Sequence, residues 1–127
     1  MRKLLVLFLL IAIVLLAQPA TQRQFIFRYE PVRKDLTLQN LTETERPVLM
    51  QHGGYLKSLL EAGKLTMAGQ AFDPNGFWGI VIVAAPDQGS AQAILDADPA
   101  IQSKLFRAAV VPFRIVFLKA TEGVQSR

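Results

Sequence analysis

The chain has 127 residues, which is enough for one domain and too few for two domains of ordinary size. Hydrophobic residues make up 51% of the sequence and charged residues 19%, a composition that supports a packed core and argues against intrinsic disorder. The net charge of +4 depends partly on Arg2 and Lys3, and the other basic residues are scattered without interleaved aromatics. This pattern gives no indication of nucleic-acid binding.

The first 20 residues are arranged like a secretory signal peptide. A short cationic start, Met1-Arg2-Lys3, precedes an uncharged apolar run from Leu4 to Ala17. This run is shorter than the roughly 20 residues that a membrane-spanning helix needs. We therefore expect residues 1–20 to be a signal peptide and residues 21–127 to form the mature domain.

Export is the expected consequence, so we predict a secreted or periplasmic protein. An uncleaved leader, which would tether the domain to a membrane, stays an alternative because Gln18 is a poor residue three positions before a cleavage site. The sequence contains no cysteine, so disulfide bonds, thiolate chemistry and cysteine-based metal sites are excluded.

The mature part begins with a predicted strand followed by a predicted amphipathic helix. Gln24 to Tyr29 is rich in aromatic and β-branched residues, which favours a strand. Thr42 and Glu45 have the spacing of a capping box, and Gly63 is suited to the helix C-terminus. The residues between them that recur at spacings of three and four are Val48, Leu49, His52, Leu56, Leu59 and Leu60.

Two further strands are predicted from Leu65 to Phe72 and from Phe77 to Ala84. Residues 73–76, Asp-Pro-Asn-Gly, supply the backbone angles of a tight hairpin between them.

The last third of the domain predicts a short helix, a helical turn and a final strand. Ser90 to Leu95 has an apolar stripe, and Asp98 before Pro99 is typical of a capped helix start. Ala108 to Leu118 is long, apolar and β-branched. Because Pro112 within it cannot donate to a strand ladder, we expect an edge strand or a bulge there.

The order strand, helix, strand, strand, helix, strand predicts an α+β fold of the ferredoxin-like βαββαβ type, with a four-stranded antiparallel sheet and both helices on one face. The run from Ile80 to Val83 is apolar on both faces of its strand, which indicates that the second face is also covered. We expect a homodimer in which the two sheets lie face to face.

His52 is the one histidine in the chain, and it lies on the apolar stripe of the long helix. Gly53 and Gly54 follow it, and such small residues allow a ligand or another backbone to approach closely. His52 is therefore either a proton-transfer residue or a core histidine that is hydrogen-bonded to a backbone carbonyl. A single histidine without cysteines or nearby carboxylates does not make a metal site, so no metal is expected.

Three aspartates are candidates to pair with His52. Asp98 fits the role of a helix cap, yet a carboxylate beside the imidazole would also fix its tautomer and create a proton shuttle. Asp73 is assigned to the hairpin turn, and Asp96 has no distinguishing context.

The sequence has no motif for nucleophilic catalysis and no glycine-rich phosphate loop. Four aromatic residues are candidates for a pocket between sheet and helix, although core packing is the more frequent role of such strand residues. They are Phe72, Phe77, Trp78 and Phe113.

A series of short motifs runs in a fixed order along the mature chain. The motifs are His52-Gly53-Gly54-Tyr55-Leu56, Gly63-Lys64-Leu65, Ala68-Gly69, Gly79-Ile80, Asp98-Pro99 and Pro112-Phe113. Their order and spacing resemble the YCII-related domain, a family of small dimeric α/β-barrel proteins, from about Phe25 to Leu118. This resemblance implies a ferredoxin-like protomer, a dimer joined through its sheets, and an active-site pocket with the pair His52 and Asp98.

Better understood members of the same superfamily act without a cofactor on small cyclic or aromatic compounds, by dehalogenating elimination or lactone isomerisation. The resemblance therefore implies a cofactor-independent enzyme that uses His52 and Asp98 for proton transfer. Ala100 departs from the family pattern, in which an aromatic residue often follows Asp-Pro, so the pocket and its ligand can differ here. The alternative is an exported, non-catalytic dimer that binds a small ligand or another protein.

Overall fold

The computed structural model describes residues 21–119, which form an antiparallel sheet with three helices. The α+β class is confirmed. The signal peptide expected in residues 1–20 lies outside the described residues. The elements are β1 (Arg23–Pro31), α1 (Glu45–Glu61), β2 (Leu65–Asp73), β3 (Gly76–Ala85), α2 (Gln88–Asp96), α3 (Pro99–Gln102), β4 (Phe106–Arg107) and β5 (Val110–Phe113).

Strand β1 lies at the centre of the sheet. The strand order is β2-β3-β1-β4, and β5 also pairs with β1. Every pair is antiparallel, with Phe27 opposite Val81 of β3 and Val110 of β5. The sheet of the single chain is open and does not close into a barrel.

The expectation of one final strand from Ala108 to Leu118, and hence of a four-stranded sheet, was wrong. Two short strands, β4 and β5, lie beside β1 where one long strand was expected, so the sheet has five strands. Both pair with β1 in the same register, and the pairing is interrupted at Ala108 and Ala109. The pairing ends at Phe113 opposite Gln24, one residue from the start of β1 at Arg23. As predicted, the strand that contains Pro112 lies at an edge.

The core lies between the sheet and the helices. Alternate residues of β1 are buried on this face, with exposed fractions of 2% for Phe25, 0% for Phe27 and 4% for Tyr29. They pack with Val83 of β3 and Leu95 of α2 in one hydrophobic cluster. Because burial alternates along the strand, the hydroxyl of Tyr29 is directed into the same interior as the rings of Phe25 and Phe27.

The predicted capping-box bonds and C-terminal glycine of α1 are confirmed, although the helix begins at Glu45, two residues later than a cap at Thr42 predicts. The backbone N–H of Glu45 donates to Thr42 Oγ1 at 3.1 Å, and Glu45 Oε2 accepts from the Thr42 N–H at 2.9 Å. At the other end Gly63 has φ of 70°, and the N–H of Lys64 donates to the Leu59 carbonyl at 2.9 Å. This capping box and Schellman motif fix the helix that carries His52.

Within residues 21–119, no helix combines the length and the apolar character required to span a membrane.

Candidate functional site

The structure brings His52 and Asp98 into contact. Nδ1 of His52 lies 2.8 Å from Oδ2 and 2.9 Å from Oδ1 of Asp98. Helix α1 supplies the histidine, and the cap of α3 supplies the aspartate. The Asp98 side chain is 0% exposed and that of His52 is 13% exposed, so water screens their interaction weakly.

The Asp98 carboxylate has two further donors. The backbone N–H of Ala100 donates to Oδ1 at 2.9 Å, which is the helix cap predicted from the Asp-Pro sequence. The hydroxyl of Tyr29 donates to Oδ2 at 2.8 Å. Capping and histidine pairing, which the sequence presented as competing roles, are therefore both performed by one carboxylate. A fully buried carboxylate requires such donors to offset its lost hydration.

Sequence reasoning did not single out Tyr29. Burial, and next to it the Asp98 carboxylate, raises the pKa of the Tyr29 phenol far above its ordinary value of 10.0. The phenol therefore stays protonated and acts as a donor throughout the physiological range. Its ring centroid is 5.2 Å from that of His52, and the ring of Phe106 lies 5.7 Å from His52 on an edge-on contact. The alternation of Phe25, Phe27 and Tyr29 along the predicted strand was the available signal. It places the three side chains on one face, where only Tyr29 carries a hydroxyl group.

The contact with Asp98 fixes the histidine tautomer. A carboxylate accepts, so Nδ1 of His52 carries the proton and donates, which leaves the lone pair of the neutral ring on Nε2. Nε2 makes no hydrogen bond within residues 21–119. Since no buried side-chain nitrogen or oxygen in that range lacks a partner, Nε2 is reached by solvent.

His52 lines an open cavity of about 430 Å³ between α1 and the sheet. The lining is mainly apolar, and its polar side chains are those of His52, Tyr29 and Gln70. The apolar and glycine positions of the lining are Leu38, Leu49, Gly53, Leu56, Ala68, Gly69, Phe77, Gly79, Ile80, Val81 and Phe106.

Of the four aromatic candidates for the pocket, only Phe77 lines this cavity, and it is 9% exposed. Phe72 is 70% exposed, so the interpretation of this residue as pocket or core was wrong. Its strand β2 is an edge strand, and Phe72 lies beside the hairpin turn. Trp78 and Phe113 lie on the sheet face opposite to the helices, as their pairing with Ala71 and Gln24 requires.

The other two aspartates have separate partners. Asp73 accepts the N–H of Asn75 at 2.7 Å and the indole N–H of Trp78 at 2.9 Å, which confirms its assignment to the turn. Asp96 accepts from the amide of Gln92 at 2.8 Å. Among residues 21–119, no group of three or more histidine, cysteine, aspartate or glutamate side chains is placed to hold a metal ion.

The arrangement can accept and return a proton. His52 lines the cavity, its Nε2 has a lone pair that solvent reaches, and Asp98 stabilises the imidazolium that forms when Nε2 takes a proton. Tyr29 and the Ala100 N–H hold the carboxylate in place through hydrogen bonds of 2.8 and 2.9 Å. The same pocket without proton transfer would be a binding site for a small, largely apolar ligand.

The family model of the YCII-related domain matches residues 20–114, a span that contains the sheet, the three helices, His52 and Asp98. No curated protein matches the chain. Since the family match covers well over half of the sequence, this chain belongs to the YCII-related domain family.

Proposed function

We propose that this protein is a cofactor-independent enzyme that transfers protons on a small cyclic or aromatic compound. His52 is the general acid/base, and Asp98 orients and stabilises it. One observation carries the proposal: a fully buried carboxylate lies 2.8 Å from Nδ1 of His52, while Nε2 is open to solvent and the ring lines a cavity of about 430 Å³.

The proton cycle follows from the tautomer. Nε2 of His52 removes a proton from a carbon or hydroxyl of the substrate, and the positive charge on the ring is balanced by Asp98. In an isomerisation the same proton returns to another atom of the substrate. In an elimination the electron pair of the broken C–H bond forms a double bond as the leaving group departs with its own pair, and Nε2 then releases the proton to solvent.

The geometry favours this role over the core-histidine interpretation. A packing histidine pairs with a backbone carbonyl and is enclosed by apolar side chains, whereas His52 pairs with a carboxylate and borders a cavity. Binding without catalysis is the second candidate, since the cavity lining is mainly apolar and suits retention of a small ligand.

The variant His52→Asn separates the two candidates. Its side-chain amide nitrogen can occupy the place of Nδ1 and donate to Asp98, but it cannot take a proton from a substrate. Turnover and deuterium incorporation in heavy water are measured by NMR on small lactones and halogenated phenols. The expected loss is about two to four orders of magnitude with the fold intact. Full activity of the folded variant would refute the catalytic role, and ligand binding without turnover by the wild type would support the second candidate.

We also propose that the protomer is ferredoxin-like and forms a homodimer through its sheets. The strand order β2-β3-β1-β4 and the βαββαβ sequence of elements support the first proposal. The sheet face opposite to the helices supports the second. It carries Ile26 and Ile80, which are only partly buried, with Met67 47% and Val111 51% exposed at its sides. A second copy on this face would cover these side chains and complete a dimeric α/β barrel.

Export is a proposal that rests on residues 1–20. The mass of the protein recovered from outside the cytoplasm tests it: loss of these residues supports a cleaved signal peptide, and the full mass supports an uncleaved anchor.

A further inference from the structure

The cavity beside His52 offers no charged partner to a ligand. Among the described residues that line it there is no lysine, arginine, aspartate or glutamate. When His52 is protonated, its charge is balanced by Asp98, which is 0% exposed and lies behind the ring. An ionised ligand would therefore lose hydration on entry without gaining an unpaired opposite charge.

A neutral hydrogen-bonding group does lie on the opposite wall. Gln70 is on β2, across from Gly79 of β3, and lines the cavity on the sheet side. Gln70 is exposed, so its side-chain amide is accessible to a ligand. The amide offers both a donor and an acceptor, whereas His52 on the helix wall offers one nitrogen.

Gly53 leaves room for a ligand on the helix wall. A Cβ placed there would meet no other atom within 4 Å, so packing among the described residues does not require glycine. Glycine inside a helix is less stable than alanine, yet Gly53 lies within α1 next to His52 and lines the cavity. Gly54 likewise has no atom within 4 Å of a Cβ but does not line the cavity, which makes it a matched control.

We infer that the cavity selects an uncharged ligand that contacts the α1 backbone at Gly53 and hydrogen-bonds to Gln70. The inference rests on the function proposed for this site and names its ligand class. Gly53 has no side chain that would keep a ligand from the helix backbone, and Gln70 can hydrogen-bond to a neutral polar group of the ligand. The absence of a charged residue among the described lining residues disfavours carboxylate and phosphate ligands.

Two probes of matched shape test the charge preference on the full chain. 4-Hydroxybenzamide is uncharged at neutral pH, and 4-hydroxybenzoate is its anionic counterpart. Fragments of about ten non-hydrogen atoms bind in the millimolar range, so ligand-observed NMR titrations to about 20 mM are suitable. The benzamide is expected to bind at least about tenfold more tightly than the benzoate. Equal or tighter binding of the benzoate, or no binding of either probe, would overturn the inference.

Three substitutions test the contacts, with benzamide affinity and melting temperature both measured. Gly53→Ala is expected to weaken binding about tenfold or more while the melting temperature stays unchanged or rises, because a methyl group then occupies ligand space. Gly54→Ala is expected to leave the affinity unchanged. Gln70→Leu is expected to weaken the benzamide about fivefold or more, since its polar group loses a partner. Wild-type affinity in Gly53→Ala or in Gln70→Leu would contradict the assigned contact.

The test of the ligand class can fail independently of the test of the proposed proton transfer. If the benzoate is preferred but His52→Asn still abolishes turnover, the ligand class is wrong and the catalytic role stands. If the charge preference and the Gly53 effect are found but no turnover depends on His52, the ligand class stands and the catalytic role is wrong.

Discussion

The Tyr29 hydroxyl donates a hydrogen bond of 2.8 Å to the Asp98 carboxylate from a residue 69 positions earlier in the chain. The bond connects the central strand β1 to the cap of α3, and Asp98 in turn contacts His52 at 2.8 Å. The position of His52 thus depends on a strand residue whose hydroxyl is hydrogen-bonded to Asp98.

Tyr29→Phe removes this donor from a buried carboxylate. We expect the free energy of unfolding to fall by about 1–3 kcal/mol, measured by urea denaturation, because the buried Asp98 side chain loses one hydrogen-bond donor. Turnover should fall as well, since Asp98 is less firmly placed.

Tyr55→Phe is the matched control, because its hydroxyl donates to the Ile94 carbonyl at 2.7 Å and not to Asp98. It should lose stability without a comparable loss of turnover. Equal effects of the two substitutions on turnover would show that Tyr29 is only a structural residue.

Asp98→Asn tests the role of the carboxylate charge, because the asparagine side chain has nearly the same shape. The amide oxygen in the place of Oδ1 can still accept from the Ala100 N–H, but the amide nitrogen in the place of Oδ2, 2.8 Å from Nδ1, is a donor that opposes a proton on Nδ1. The imidazole is then expected to carry its proton on Nε2, where a lone pair is needed. We predict a fall in turnover of about two orders of magnitude or more.

Asp98→Ala is the destabilising comparison, since it leaves the Tyr29 hydroxyl and the Ala100 N–H without their acceptor. Its unfolding free energy should fall by about 2–4 kcal/mol, more than that of the asparagine variant. An asparagine variant with wild-type turnover would mean that the carboxylate serves the helix cap alone.

Acid stability should depend on Glu45. Hydrogen bonds, first from the Arg33 side chain and then from the Thr42 N–H, lower the pKa of Glu45 from 4.5 to about 2. Because the folded-state pKa is depressed, this contribution is present above the unfolded value and is lost as the pH falls through about 2. The stability difference between the wild type and Glu45→Gln should therefore shrink between pH 4.5 and about 2.

Urea denaturation at a series of pH values measures that difference. Glu61→Gln is the control, since Glu61 forms an exposed pair with Lys57 at 3.5 Å. A difference in unfolding free energy between the wild type and Glu45→Gln that does not change with pH would be inconsistent with the assigned hydrogen bonds.

The proposed dimer makes a prediction for the open sheet face. Val111 is 51% exposed there, and Val111→Arg would place a charge within the covered surface. We expect light scattering after gel filtration to show a dimer for the wild type and a monomer for this variant. Met50→Arg, at a position that is 74% exposed on α1, should remain dimeric. A monomeric wild type would rule out the dimer.

The fold was largely accessible from the sequence, because each helix carries its own local signals. Thr42 and Glu45 predict the start of α1, and Gly63 predicts its end. The extent of the last strand was not accessible in this way. It ends at Phe113, near the start of its partner strand β1, and its length therefore depends on pairing between distant segments.

The site was accessible only in part. The motifs around His52 and Asp98 predicted their contact through the family resemblance. The role of Tyr29 depends on the register of β1 against the rest of the sheet. That register places the Tyr29 hydroxyl beside the carboxylate of Asp98, 69 residues later in the chain. The sequence indicated room for a ligand at both Gly53 and Gly54, and only the structure shows that Gly53 lines the cavity and Gly54 does not.

The tautomer of His52 tests the central claim most directly, and the chain contains no second histidine to obscure its signal. A long-range ¹H–¹⁵N NMR spectrum of the neutral ring in the wild-type protein distinguishes the two nitrogens. We predict a proton on Nδ1, bound to Asp98, and an unprotonated Nε2. A proton on Nε2 would contradict the account, because no base would then face the cavity.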